Sequence, residues 1–134
     1  MGDKLKHLDY IQQTIGRLAT VSFQIKTWNI GLVTAILAFA ARDKAPVFLW
    51  AAFLPALMLW YLDSFFLRQE RLFRLLYDFV RKAESPATDF SMDTSPFVAN
   101  PRTCRLRVFF SATLLTFHGT VLAVVVLAML ILAL

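Results

Sequence analysis

The chain has 134 residues, 58% of them hydrophobic and 17% charged, with a mean hydropathy of +0.60. Soluble domains run nearer about 45–50% apolar and about 25% charged, so this composition excludes an ordinary soluble globular domain. So short a chain has room for one membrane domain, residues 1–134, and none for a separate catalytic one. The net charge of +5 comes from 14 Lys+Arg against 9 Asp+Glu, and the single cysteine, Cys104, excludes an internal disulfide. The first ten residues, MGDKLKHLDY, hold no apolar signal-peptide core, so no cleavage is expected. Lys6 stands where a myristoylation pattern has Ser or Thr.

The first apolar run, Trp28 to Ala41, is too short to cross alone, since a spanning helix needs about 20 residues. The helix must therefore draw on residues from Ser22, bringing Gln24 and Lys26 near one interface. Leu8, Ile11, Ile15, Leu18 and Ile25 continue an apolar face back towards the N-terminus at three- and four-residue spacing. Asp3 suits a helix start. The spacing predicts a helix over 3–41.

Arg42 to Ala45 is a very short turn, so the next helix must fold back antiparallel. It begins at Pro46, runs apolar to Leu67 with Asp63 as its one charge, and continues through RQERLFRLLYDFVRKAE. That tail is rich in helix formers and free of Gly and Pro. The helix is predicted over 46–84, ending near Ser85-Pro86. Pro55, mid-span, removes one backbone donor and is read as a static kink in preference to a gate hinge. With Ala41 opposite Pro46, Arg17 falls opposite Glu70, and Lys26 within a turn of Asp63. These are the candidate interhelical charge pairs. The competing reading is that each charge snorkels separately to the interface.

Residues 85–100, SPATDFSMDTSPFVAN, read as a connector. Asp89 to Asp93 resembles the first half of a calcium loop, but Thr94 stands where Gly is needed and Asn100 where Glu is needed. No metal or cofactor is expected there. Asp and Ser should cap turns, and Phe90, Met92 and Phe97 should pack the loop onto the helices. Asn100-Pro101 suits the N-cap and first position of a third helix over 101–134.

That third helix contains the longest uncharged stretch, the 27 residues from Val108 to Leu134. Ala112, Thr116, Gly119 and Ala123 form a small-residue stripe of the kind that lets helices approach closely in lipid, within one chain or between copies. His118 falls near the midplane, where an ionisable group is a functional hypothesis by default. A neutral His118 bonded to a threonine such as Thr116 is preferred over proton transfer, because no relay partner is visible in the sequence.

Orientation follows from basic residues. The N-terminal segment and residues 68–107 together carry twelve Lys and Arg, and the short turn carries two. The positive-inside rule places the N-terminus and 68–107 in the cytoplasm, and the turn and C-terminus outside. No nucleophile–base pairing and no phosphate loop is visible, so a non-enzymatic role is expected. Nucleic acid is excluded as a partner because eight basic residues over 68–107 are offset by five acidic ones. Attraction to anionic lipid headgroups accounts for the excess.

The run RQERLFRLLYDFVR (68–81), with DFSMDTSPF (89–97) after it and KTWNIGLVTAILAFAARD (26–43) before it, resembles small bacterial membrane proteins of the RipA family of octameric membrane proteins. The resemblance covers most of residues 5–110. It implies a homo-octamer in a bacterial inner membrane and carries over no catalytic or binding residues. The expectation is thus an all-α integral membrane protein with three transmembrane helices. The first two form a hairpin that extends into the cytoplasm as a stalk. Its partners are the bilayer and copies of itself, assembled as a ring that could enclose a pore. The alternatives are an anchor that binds a soluble cytoplasmic partner, and a membrane-disrupting defence effector.

Overall fold

The computed structural model describes residues 2–83 and 90–133. The second helix ends at Lys82, with Ala83 extended, two residues before the expected 84; the Ser85-Pro86 stop and Asp89 lie outside the described residues. Two long helices, α1 (Gly2–Asp43) and α2 (Pro46–Lys82), are followed by 3₁₀ turns at Ser95–Phe97 and Pro101–Thr103, a short α3 (Arg105–Phe109) and α4 (Ala112–Ala133). No strand occurs among the described residues. α1, α2 and α4 are each long and apolar enough to cross a membrane.

α1 and α2 pack together as an antiparallel hairpin, and α4 rests mainly on α2 and less on α1. The turn is tighter than expected, because α1 runs on to Asp43. Lys44 adopts a left-handed φ of 50°, and Ala45 N–H closes onto Ala40 C=O at 3.3 Å. This is the geometry of a helix C-cap that glycine usually fills. At about 1.5 Å per residue, α1 is roughly 63 Å long, about twice the hydrocarbon thickness. The hairpin therefore leaves the bilayer as a stalk.

Three apolar clusters mark three levels. Ile11, Ile15, Leu76 and Val80 form the stalk core, and Met92 and Phe97 of the connector pack on it. Phe90, the third connector residue, lies against His7 and Tyr10. Val33, Ala52, Ala56 and Val125 form the core of the span. Trp60, Val108 and Leu114 join α2 to the start of the third span.

The third span is not the continuous helix expected over 101–134. Asn100 accepts the Arg102 N–H at 2.9 Å and so caps only the 3₁₀ turn. The chain is then extended at Cys104, forms α3, and breaks again at Phe110 and Ser111 before α4. The cause lies in α2. Arg68 Nε donates to Thr103 C=O at 2.8 Å, and Trp60 Nε1 donates to Phe109 C=O at 3.0 Å. Both carbonyls are thereby satisfied without a continuing helix, since a buried backbone acceptor needs only some partner.

Candidate functional site

Ser22, Lys26 and Asn29 stand at helical spacing on one face of α1. Across from them α2 presents Asp63, and α4 presents His118. Lys26 Nζ donates to Asp63 Oδ2 at 2.6 Å and to Ser22 Oγ at 2.8 Å. The Ser22 hydroxyl donates to the other carboxylate oxygen, Oδ1. His118 Nε2 donates to Asp63 Oδ2 at 2.9 Å, and Asn29 Nδ2 donates to His118 Nδ1 at 3.1 Å. An ionised carboxylate only accepts, so this pattern assigns the neutral Nε2–H tautomer to His118. Asp63, Asn29 and His118 are fully buried, whereas the Lys26 side chain keeps 19% exposure.

Aromatic rings wall the network. The Trp60 indole stacks on His118 at 5.7 Å and 8°, and on Phe109 at 4.5 Å and 4°. Phe117 meets His118 edge-on and lies beneath Lys26 Nζ, 5.9 Å from the ring centre. A cation at that range gains from the ring face. The network has one loose end, since Asn29 Oδ1 is buried without a hydrogen-bond partner among the described residues. It sits on the same amide that serves His118. Rotating that amide would exchange the atom it presents to Nδ1.

Asp63 lies 17 residues from Pro46, and His118 lies 15 from Ala133. These spans are about 26 Å and about 22 Å along their helices, against a hydrocarbon core of about 30 Å. The network therefore lies towards the stalk end of the apolar helices, and Lys26 keeps part of its side chain exposed there.

Other expected site residues are placed differently. Glu70 pairs with Arg74 one turn along its own helix at 2.8 Å, while Arg17 faces outward. The Arg17–Glu70 pair does not form, because residue 17 is off the face that Ile11 and Ile15 turn to α2. Thr116 is exposed and is not the partner of His118. The stripe Ala112, Thr116, Gly119 and Ala123 does not pack against the hairpin. A Cβ added to Gly119 would meet nothing within 4 Å. The close approach is made instead by Ala52 and Ala56 of α2 against Val125. Ala112 and Thr116 line an open apolar groove of about 750 Å³ beside Val33 and Leu37. Pro55 lies inside α2, which continues through it to Lys82. Asp93 caps the turn at Ser95 by accepting its N–H at 3.0 Å, which holds its carboxyl below the usual range.

The sequence reading missed Ser22, Asn29 and Trp60. The signal for the first two was their spacing with Lys26, which makes a polar face in an otherwise apolar span. It also missed His7, which is buried in the stalk with Nε2 at 2.7 Å from Ser91 C=O.

Compared with protein-family models, with curated proteins and with solved structures, the chain matches none. Its functional reading therefore rests on its own residues.

Proposed function

We propose that the chain is a non-enzymatic subunit of a homo-oligomeric, ring-like assembly in a bacterial inner membrane. The N-terminus and residues 68–107 are cytoplasmic, and the α4 end faces out. Eight copies is the number that the RipA resemblance implies, and a conducting centre is the activity such a ring would supply. One observation carries this reading. The stalk stands in water, yet it exposes Leu5 at 66%, Tyr10 at 50% and Phe79 at 64%. Exposed apolar side chains are expected where α1, α2 and α4 face lipid. Outside the bilayer they are apolar surface that neighbouring stalks would cover. Head-to-tail contacts that close give a ring.

Native mass spectrometry in mild detergent tests this. A single closed stoichiometry is expected, and Leu5→Asp with Phe79→Asp should shift it to monomer while helicity is kept. A wild-type monomer, or a spread of masses, overturns the ring.

A second reading, an anchor for a soluble partner, has its own support. A groove of about 890 Å³ on the stalk is lined by Arg71, Arg74, Arg81, Arg102 and Arg107 with Asp78 as its acidic member. An acidic protein surface fits that charge. A monomer in the experiment above would favour it.

A further inference from the structure

A trough of about 310 Å³ runs between α2 and α3, apart from the buried network. One wall is a single stripe of α2, namely Tyr61, Ser64, Phe65 and Arg68. The other wall is Arg105, Leu106, Phe109 and Phe110. The walls run in opposite directions, because Trp60 contacts Phe109 while Arg68 contacts Thr103. Both guanidinium groups therefore stand at the stalk end, and the aromatic rings continue from them towards the span. No carboxylate lines the trough, since the neighbouring Asp63 faces inward and is saturated.

We propose that this trough binds one anionic phospholipid. Its phosphate is held by Arg68 and Arg105, and an acyl chain lies along Phe65, Phe109 and Phe110. The polarity of the trough is that of a phospholipid at the bilayer boundary, with the anion outward and hydrocarbon inward. Arg68 is already positioned, because its Nε is fixed on Thr103 C=O and its terminal N–H groups have no acceptor among the described residues. Planar guanidinium suits phosphate oxygens. Leu106 is 71% exposed and Phe110 56% exposed, surface that a soluble phosphate ester would leave uncovered. A zwitterionic headgroup would bring its own cation against two arginines. Basic pockets at this level of a membrane protein suit anionic headgroups. The site belongs to a single chain and does not depend on the ring.

Trp60 stacks on Phe109 at the inner wall and can report occupancy. In the variant Trp28→Phe with Trp50→Phe, both exposed positions, Trp60 is the remaining tryptophan. Full-length protein is reconstituted in phosphatidylcholine vesicles with increasing fractions of brominated phosphatidylglycerol or, in parallel, brominated phosphatidylcholine. Saturable quenching by the anionic lipid is expected, with a preference on the order of 30-fold from two arginines near the surface. Arg68→Gln with Arg105→Gln should abolish the preference. Arg105→Gln alone, which removes no described hydrogen bond, should weaken it with helicity unchanged. Equal quenching by both lipids overturns the proposal, as does an unaltered preference in Arg105→Gln. Reversal by soluble glycerol phosphate also overturns it, and would assign the arginines to a soluble phosphate ester.

Discussion

His118 donates through Nε2 to Asp63 Oδ2, the same carboxylate oxygen that receives Lys26 Nζ. One buried carboxylate thus ties all three spanning helices together. α1 reaches it through Lys26 and Ser22, α2 carries it, and α4 reaches it through His118. The apolar face of α4 has no preferred rotation, since it is hydrophobic nearly all round. Its orientation in the bundle is set by the one side chain that must face a carboxylate. Hydrogen bonds between helices in lipid are individually modest, at about 0.6–2 kcal/mol, but here they also decide which face packs.

Removing one charge should cost more than removing both. Asp63→Asn leaves the Lys26 ammonium beside a neutral amide in a mostly buried site, a change that costs about 3 kcal/mol or more. Lys26→Met strands the carboxylate in turn. The double variant Lys26→Met with Asp63→Asn should be markedly more stable than the two single losses sum to, because it leaves no uncompensated charge. Unfolding in mild detergent, followed by circular dichroism, gives the cycle. Strictly additive losses would mean that the pair is not coupled.

Swapping the charges tests the remainder of the network. Lys26→Asp with Asp63→Lys restores an ion pair but points an ammonium at the His118 N–H and the Ser22 hydroxyl. Recovery should therefore be partial, above either single reversal and below wild type. Full recovery would show that His118 contributes nothing to the carboxylate.

The hairpin was legible in the sequence, and so was part of its register, although that register also set Arg17 opposite Glu70, a pair that does not form. A four-residue turn between two apolar runs leaves no other topology, and that register set Lys26 within a turn of Asp63, where the ion pair forms at 2.6 Å. The break before α4 was not legible, because residues 104–111 contain no Gly or Pro. It depends on donors from Arg68 and Trp60, far away in sequence. The partners of His118 were hidden for a similar reason. Asn29 is 89 residues away and Asp63 is 55, and helical periodicity carries no information about rotation between helices.

His118→Gln and His118→Leu separate hydrogen bonding from packing. A glutamine can place its amide N–H on Asp63 and its carbonyl against Asn29, reproducing the neutral tautomer. His118→Gln should hold near wild-type stability. His118→Leu leaves the Asn29 amide unsatisfied and takes a donor from Asp63, a loss of about 1–3 kcal/mol. Equal losses in both variants would assign the role of His118 to its stack on Trp60.

Cys104 reports both local electrostatics and sidedness. Its exposed thiol lies at the start of α3, where the backbone N–H of Arg107, then that of Leu106, lowers its pKa, with smaller help from the charges of Arg107 and Arg68. A lowered thiol pKa places the reactive thiolate at lower pH. The alkylation rate should therefore reach half its maximum below the ordinary cysteine value of about 8.5. Arg107→Gln should move that midpoint only slightly, because the larger cause is a backbone group that the substitution retains. Denaturation in SDS should return it to the ordinary value. The same thiol tests the proposed orientation. A membrane-impermeant maleimide applied to intact cells should leave Cys104 unlabelled until the membrane is permeabilised. It should label Asp43→Cys in a Cys104→Ser background at once, because that position lies at the opposite end of the hairpin. The reverse pattern would invert the topology, and with it the assignment of the arginine-rich stalk to the cytoplasm.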